Sequence, residues 1–225
     1  MPRIVPLMAM PLLVALFWLG APRVIASVLK APAHRTVWEI FHGQTPGLAQ
    51  LKRASSYLDL ATRWEQSASL YNDLGFLLLL EAIQTEPDDP RRKALADQAT
   101  KALRHGLLLS PSRPHPWVRL AYARVISGAQ PSEVATLLAR SVDVGPFVGE
   151  IAITRLELLM RAWDHLSPEM QRYTLKQIRF VWINAADEMI KIAKQSPRPG
   201  IIRFALRPIP KAVERLEAAV PPPSN

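Results

Sequence analysis

Proline residues divide the chain into blocks in which apolar residues recur at helical spacing. The sequence holds 21 prolines against 9 glycines, and a proline inside a helix removes a hydrogen bond and clashes with the preceding turn. Proline therefore marks helix boundaries, most clearly at Pro90, Pro111, Pro131 and Pro168. No segment shows the period-two alternation of a half-buried strand. We therefore predict an all-α fold, built as a stack of antiparallel helical hairpins with short connections.

Seven helices are predicted between residues 51 and 195. The uninterrupted apolar run from Phe76 to Leu80 is typical of a buried helix. Ser167 and Pro168 form a helix-start signal, with the serine as N-cap and the proline at the first helical position. The predicted helices cover approximately residues 51–64, 69–83, 90–109, 115–128, 131–142, 148–166 and 168–195.

A run without charged residues extends from Ile4 to Ala21. A helix of this length rises roughly 27 Å, enough to cross the hydrocarbon core of a bilayer. The run therefore predicts a single-pass transmembrane helix in a bacterial inner membrane, with membrane contact through residues 4–21. The short N-terminal tail with Arg3 looks like a secretory leader, which favours a periplasmic C-terminal domain, whereas Arg23, Lys30 and Arg35 after the run favour a cytoplasmic one. We predict the periplasmic placement. A cleaved signal peptide and a buried helix of a soluble domain are the alternatives.

Composition divides the chain into four parts. Residues 1–26 are the membrane anchor or signal-like segment, and residues 27–50 are expected to form a proline-rich linker. Residues 51–195 hold the helical domain. Residues 196–225 form a proline-rich, basic tail with one short helix at about residues 211–219. The helical domain is therefore the part expected to carry the function.

Internal repetition is clearest between residues 117 and 146, where bulky and small residues alternate over two predicted helices that end in proline. This pattern resembles the tetratricopeptide repeat, a two-helix unit of stacked arrays. The inter-helix turn carries one inserted residue relative to that repeat. The matching positions are Trp117, Leu120, Ala121, Gly128, Leu138, Ser141 and Pro146.

An upstream copy of the same pattern is looser. It carries an insertion of about a dozen residues around 86–93, so its length departs from that of the family. A generic helical bundle that mimics the repeat is the alternative. The matching positions are Tyr71, Leu74, Gly75 and Leu78 in the first helix, and Ala99, Leu103, Gly106 and Pro111 in the second.

The resemblance implies a particular mode of packing and binding. Small residues let the two helices of a hairpin approach closely, and large residues fill the space between successive hairpins. Stacked hairpins of this kind present a concave surface to a protein partner. On the presumed inner face, Arg119, Tyr122 and Arg124 are the predicted partner-binding residues.

Three later segments are similar to small, membrane-anchored accessory proteins of bacterial exopolysaccharide biosynthesis, whose domains resemble tetratricopeptide repeats. The segments are Val144–Phe147, Arg155–Glu157 and Trp163–Leu166. This resemblance implies a scaffold or adaptor that binds one or more protein partners in an envelope complex. The alternative is an accessory subunit held in a membrane complex mainly through its N-terminal transmembrane helix.

Sequence motifs for catalysis or metal binding are missing. The chain has no cysteine, and its five histidines form no H-x-x-x-H pair. The net charge is +9, but the excess lies in the two flanks rather than in one stripe, which disfavours a nucleic-acid surface. We therefore expect a non-enzymatic protein without cofactor, metal or nucleic acid. An active site of Glu, Asp and Arg assembled only in space is the third hypothesis, and the oligomeric state stays open.

Overall fold

The computed structural model describes the backbone of residues 4–221 and the side chains of residue 18 and of residues 20–221. Within residues 4–221 the chain forms α-helices, one short 3-10 helix and no strand, so the all-α prediction is confirmed. The helices are α1 (Ile4–Phe41), α2 (Leu48–Thr62), α3 (Ala68–Gln84), α4 (Pro90–Leu109), α5 (Pro114–Ile126), α6 (Pro131–Val144), α7 (Gly149–Arg161), α8 (Pro168–Asn184), α9 (Ala186–Gln195), α10 (Pro199–Leu206) and α11 (Ala212–Ala219), with the 3-10 helix at Trp163–His165.

The predicted transmembrane helix is wrong. None of the helices in the described part of the chain is both long enough and apolar enough to cross a membrane. The run from Ile4 to Ala21 is not a separate element, because α1 continues through charged Arg23, Lys30 and Arg35 to Phe41. The predicted single-pass location in the inner membrane is contradicted by the same finding, and the periplasmic placement of the C-terminal domain depended on it. The side chains of residues 4–17 lie outside the described residues.

Residues 27–41, expected as the first part of the linker, are helical instead. Pro32 lies inside α1, where a proline costs the helix one backbone hydrogen bond. Burial on the same side of the helix offsets this loss, since Ala33 is completely buried and Val37 is 7% exposed. Gln50 of α2 donates from Nε2 to Glu39 Oε2 at 2.7 Å and fixes α1 against α2. Contacts distant in sequence therefore hold a helix that the local proline signal argues against.

The chain forms two compact units, residues 1–111 and residues 112–225. In the first unit α1, α2, α3 and α4 pack in series, each against the next. The most extensive contact is between α3 and α4. A Cβ added to Gly75 of α3 would lie 2.5 Å from Leu103 Cγ of α4, and a Cβ added to Gly106 of α4 would collide with Asn72 Oδ1 of α3. The two glycines therefore allow a close approach at two neighbouring points, near the middle of α3 and near its N-terminal end.

The second unit begins with the α5–α6 hairpin. Ala121 and Leu138 are completely buried in the core that α5 and α6 share with α7, and Leu120 is 2% exposed. Gly128 forms the connecting turn with φ of 82°, a left-handed conformation that glycine adopts without strain. Gly128, the small residue that the repeat pattern predicts at the inter-helix turn, therefore lies in that turn.

The remainder of the second unit differs from the prediction in two places. The single helix expected over residues 168–195 is divided at Ala185, which leaves the helical region with φ of −154° and ψ of 61°. The tail contains the expected α11 and also α10, whose Ile202, Ala205 and Leu206 are completely buried. These side chains join the core formed by α7, α8 and α9, so the basic tail is part of the folded unit.

Candidate partner-binding groove

A groove of about 320 Å³ lies over α3 in the first unit. Its floor comes from α3, and its two walls come from α2 and α4. The three helices pack in series, α2 on α3 and α3 on α4. The residues that line the groove therefore come together because α3 packs against both neighbours, not because they are close in sequence. We call this feature the α3 groove.

The floor of the α3 groove is one face of α3. Tyr71, Leu74 and Leu78 follow each other at three- and four-residue spacing, which places them on the same side of a helix. Leu74 and Leu78 are 6% and 8% exposed, and Tyr71 is half-buried. The helix begins at a serine cap, because the Ser67 hydroxyl accepts a hydrogen bond from the backbone N–H of Leu70 at 3.4 Å. The floor is therefore apolar and held by a well-defined helix.

A polar cluster closes one end of the α3 groove. The Tyr71 hydroxyl donates to Gln66 Oε1 at 3.0 Å, and His105 Nε2 lies 3.1 Å from the same oxygen. Since an amide oxygen can only accept, His105 must carry a proton on Nε2 to form this bond. The Tyr71 and His105 rings are in contact, with centroids 4.0 Å apart. These contacts fix both rings at the edge of the groove.

The two walls of the α3 groove carry opposite charges. Asp59 stands on the α2 wall, and its carboxylate pairs with Arg63 one turn later at 3.2 Å. Lys101 and Gln98 stand on the α4 wall, and both are exposed. Within the described residues Lys101 has no hydrogen bond or ion pair. Its ammonium group is therefore available to a binding partner.

A buried polar pair holds the α2 wall against α3. The Ser55 hydroxyl of α2 donates to Glu81 Oε1 of α3 at 2.5 Å, and both side chains are buried. Burial raises the pKa of Glu81, while the Ser55 hydrogen bond and the charge of Lys52 lower it. This pair fixes the position of α2 on α3, and it therefore helps to set the width of the groove.

The predicted partner-binding residues lie elsewhere, on α5 of the second unit. Arg119, Tyr122 and Arg124 are half-buried. Arg124 forms a bidentate pair with Glu133 of α6, from Nε to Oε1 at 2.7 Å and from Nη2 to Oε2 at 2.9 Å. Tyr122 packs against the core formed by α5, α6 and α7. Arg124 and Tyr122 therefore have contacts that join the helices of the hairpin.

The predicted repeat positions divide between the two hairpins. The α3–α4 hairpin contains Tyr71, Leu74, Gly75 and Gly106. The predicted positions between residues 117 and 146 lie in or beside the α5–α6 hairpin. Pro111 and Pro146 follow the last helix of each hairpin and are exposed. Trp117, at the start of α5, is half-buried.

Sequence reasoning missed the groove walls. Gln98, Lys101, Ala102 and His105 recur at three- and four-residue spacing on α4, and this signal could have grouped them on one face. His105 is half-buried at the groove edge. Nothing in the sequence places Asp59 opposite these residues.

No metal centre accompanies the groove in the part of the chain that the structure describes. No group of three or more His, Cys, Asp or Glu residues there could hold a metal ion. No protein-family model matches the chain, and neither a curated protein nor a solved structure matches it.

Proposed function

We propose that the protein is a non-enzymatic adaptor that binds an apolar segment of a partner protein in the α3 groove. The observation that carries this proposal is an apolar floor, Leu74 and Leu78, between walls that bear Asp59 and Lys101. A groove of this kind suits a partner that buries apolar side chains on the floor and places polar groups at the rim.

The length of the floor sets the size of the partner segment. From Tyr71 to Leu78 the helix rises about 10 Å, or two helical turns. Two turns of an amphipathic helix, or about three residues of an extended chain at roughly 3.3 Å each, span this distance. The groove therefore suits a short linear segment and not a broad, flat protein surface.

Two features of the sequence support the adaptor role. The repeat-like pattern in the α3–α4 and α5–α6 hairpins resembles a family whose members bind proteins on stacked hairpins. The resemblance to accessory proteins of exopolysaccharide biosynthesis supports a partner in that machinery. The alternative of an accessory subunit held by a transmembrane helix is not retained, because no described helix could span a membrane.

Site-specific photocrosslinking tests the proposal in the organism that makes the protein. A photoreactive amino acid is placed at Gln98 on the groove wall and, as a matched control, at Lys93, which is exposed on the same helix outside the groove. We expect a discrete crosslinked protein from position 98 and not from position 93. The crosslinked protein is then identified and purified.

Direct binding to the purified partner completes the test. Lys101→Glu reverses the charge of one wall, and Lys93→Glu makes the same change outside the groove. We expect the first variant to weaken binding at least tenfold and the second to leave it unchanged. Equal crosslinking from both positions, no crosslink at position 98, or equal affinities of the two charge variants would each refute the groove as the binding site.

A further inference from the structure

A second cleft, of about 360 Å³, lies in the second unit between α7 and the end of α9. Its size is at the lower end of the range for small-molecule sites, about 300–1,000 Å³. It is lined by Met160 and Ile192, which are 2% and 5% exposed, and by charged and polar residues. We call it the α7–α9 cleft. A concave site with an apolar base and a few polar groups is the usual form of a small-ligand site.

Two opposite charges face this cleft from one helix. Glu157 and Arg161 are separated by one turn of α7 and both line the cleft. Glutamate followed by a basic residue four positions later ordinarily forms an ion pair on a helix. Here no hydrogen bond joins the two side chains, and no ion pair within 4.0 Å is present between them among the described residues. Both side chains line the cleft one helical turn apart, so both can contact one ligand.

The surroundings of Glu157 favour a positively charged ligand group. The side chain is half-buried, and burial raises the pKa of its carboxyl group, with Arg161 lowering the pKa and Glu188 raising it. Glu188 itself is paired with Lys191 at 2.6 Å. A ligand cation at Glu157 would compensate the desolvated carboxylate that the fold leaves without an ion pair.

The opposite rim of the cleft offers further polar groups. Gln195 ends α9, and its exposed amide can both donate and accept hydrogen bonds. Ser196 follows, and its hydroxyl accepts a hydrogen bond from the backbone N–H of Arg198 at 3.1 Å. Arg198 is paired with Asp164 outside the lining of the cleft. Arg161 is therefore the basic group of the cleft that remains for a ligand anion.

We infer that the α7–α9 cleft binds a free α-amino acid with an apolar side chain. The ammonium group binds Glu157, the carboxylate binds Arg161, and the side chain packs on Met160 and Ile192. A simple amine would pair only with Glu157, and a fatty acid would pair only with Arg161. The Cβ atoms of residues one turn apart on a helix are about 5–6 Å from each other, a separation that an amino acid with its two adjacent charged groups can bridge.

Isothermal titration calorimetry of the full chain tests this inference with L-leucine as the probe. Isoamylamine lacks the carboxylate of leucine, and 4-methylpentanoate lacks its ammonium group. We expect saturable binding of one leucine per chain and at least tenfold weaker binding of the two analogues. No saturable binding of leucine, or equal binding of all three compounds, would overturn the inference.

Charge-neutral variants locate the binding. Glu157→Gln and Arg161→Gln should each weaken leucine binding at least tenfold, whereas Glu214→Gln and Arg172→Gln, at exposed positions outside the cleft, should not. Arg161 is exposed, so replacing it should leave the fold intact. The Arg161 variant therefore tests the site even if circular dichroism shows that Glu157→Gln is misfolded. Leucine affinity that is the same in Arg161→Gln and in Arg172→Gln would overturn the assignment. The cleft belongs to the second unit, so this outcome leaves the α3 groove untouched.

Discussion

Arg155 donates from Nη2 to the Ser141 hydroxyl at 2.9 Å, and both side chains are completely buried. Ser141 in turn donates to the Pro114 carbonyl at 3.0 Å, so one hydrogen-bond chain joins α7, α6 and the start of α5. The guanidinium also donates from Nη1 to the Pro146 carbonyl at 2.9 Å and to the Tyr173 hydroxyl at 3.0 Å. No carboxylate is paired with Arg155 among the described residues. The charge is therefore held by carbonyl and hydroxyl oxygens near the C-terminal end of α6, where the helix dipole favours a cation.

Replacing Arg155 with methionine should destabilise the second unit by about 2 kcal/mol, because buried carbonyl groups lose their donors. The measurement is urea denaturation followed by circular dichroism. Arg172→Met, at an exposed position on α8, is the matched control and should change the stability by no more than about 0.5 kcal/mol. A methionine variant as stable as the original chain would mean that desolvation of the guanidinium outweighs its hydrogen bonds.

Gly75→Ala should destabilise the α3–α4 hairpin by about 1–3 kcal/mol, as overpacking does in close-packed interiors. The added methyl group would lie 2.5 Å from Leu103 Cγ and 3.2 Å from the Ala99 carbonyl oxygen, so the Leu103 side chain or one of the helices must shift. Thermal unfolding measures the effect. Gly200→Ala is the control, since nothing lies within 4 Å of its added methyl group.

A second substitution distinguishes this steric effect from a general loss of stability. Leu103→Ala removes the γ and δ carbons that the new methyl group meets, so Gly75→Ala should cost less stability in the Leu103→Ala background than in the original chain. If the two substitutions are simply additive, the proposed contact between these positions is not the cause.

The stability of the first unit should depend on pH through Glu81. Its pKa is raised by burial above the ordinary value of 4.5, so the folded state holds the proton more tightly than the unfolded state. The stabilisation from the protonated group is complete below about pH 4.5 and is lost as the pH rises through the folded-state pKa. Glu81→Gln keeps an acceptor for Ser55 and does not titrate. Its stability relative to the original chain should therefore increase with pH above about 4.5.

Thermal unfolding of both proteins across this pH interval provides the measurement. Ser55→Ala removes a hydrogen bond that lowers the pKa of Glu81, so the pH-dependent loss should extend to higher pH in that variant. If the stability of Glu81→Gln minus that of the original chain decreases as the pH rises, Glu81 is not the group whose titration destabilises the first unit.

Helix boundaries fixed by local chemistry were predictable, and those fixed by distant contacts were not. The helix predicted at about 90–109 is α4, bounded by the Asp89 cap, whose carboxylate accepts from the Arg91 N–H, and by Pro111 beyond its end. The helix is divided at Ala185 without a proline or glycine at that position, and no local sequence signal predicts the division. The continuation of α1 past Pro32 depends on burial against the rest of the first unit.

The candidate site was less accessible to sequence reasoning than the helices. The apolar floor lies within a predicted repeat unit, because helical periodicity groups Tyr71, Leu74 and Leu78 on one face. Its walls depend on how α2 and α4 flank α3. Asp59 and Lys101 are far apart in the sequence, so no spacing rule joins them. Composition and motifs therefore predict the helices, whereas the way in which the helices lie side by side depends on packing.

The bidentate contact between Arg124 and Glu133 should stabilise the α5–α6 hairpin, and a double-mutant cycle measures its contribution. The guanidinium is 24% exposed and the carboxylate 34%, so the pair is screened only in part by solvent. We expect a coupling energy of about 0.5–1 kcal/mol between Arg124→Ala and Glu133→Ala in urea denaturation. If Arg124 instead served mainly to contact a partner, as its position on a presumed inner face suggested, the coupling would be near zero. In that case the charge-exchanged double variant, Arg124→Glu with Glu133→Arg, should remain folded and fail to bind a partner. If Arg124 only joins the two helices of the hairpin, the same double variant should bind the partner as the original chain does.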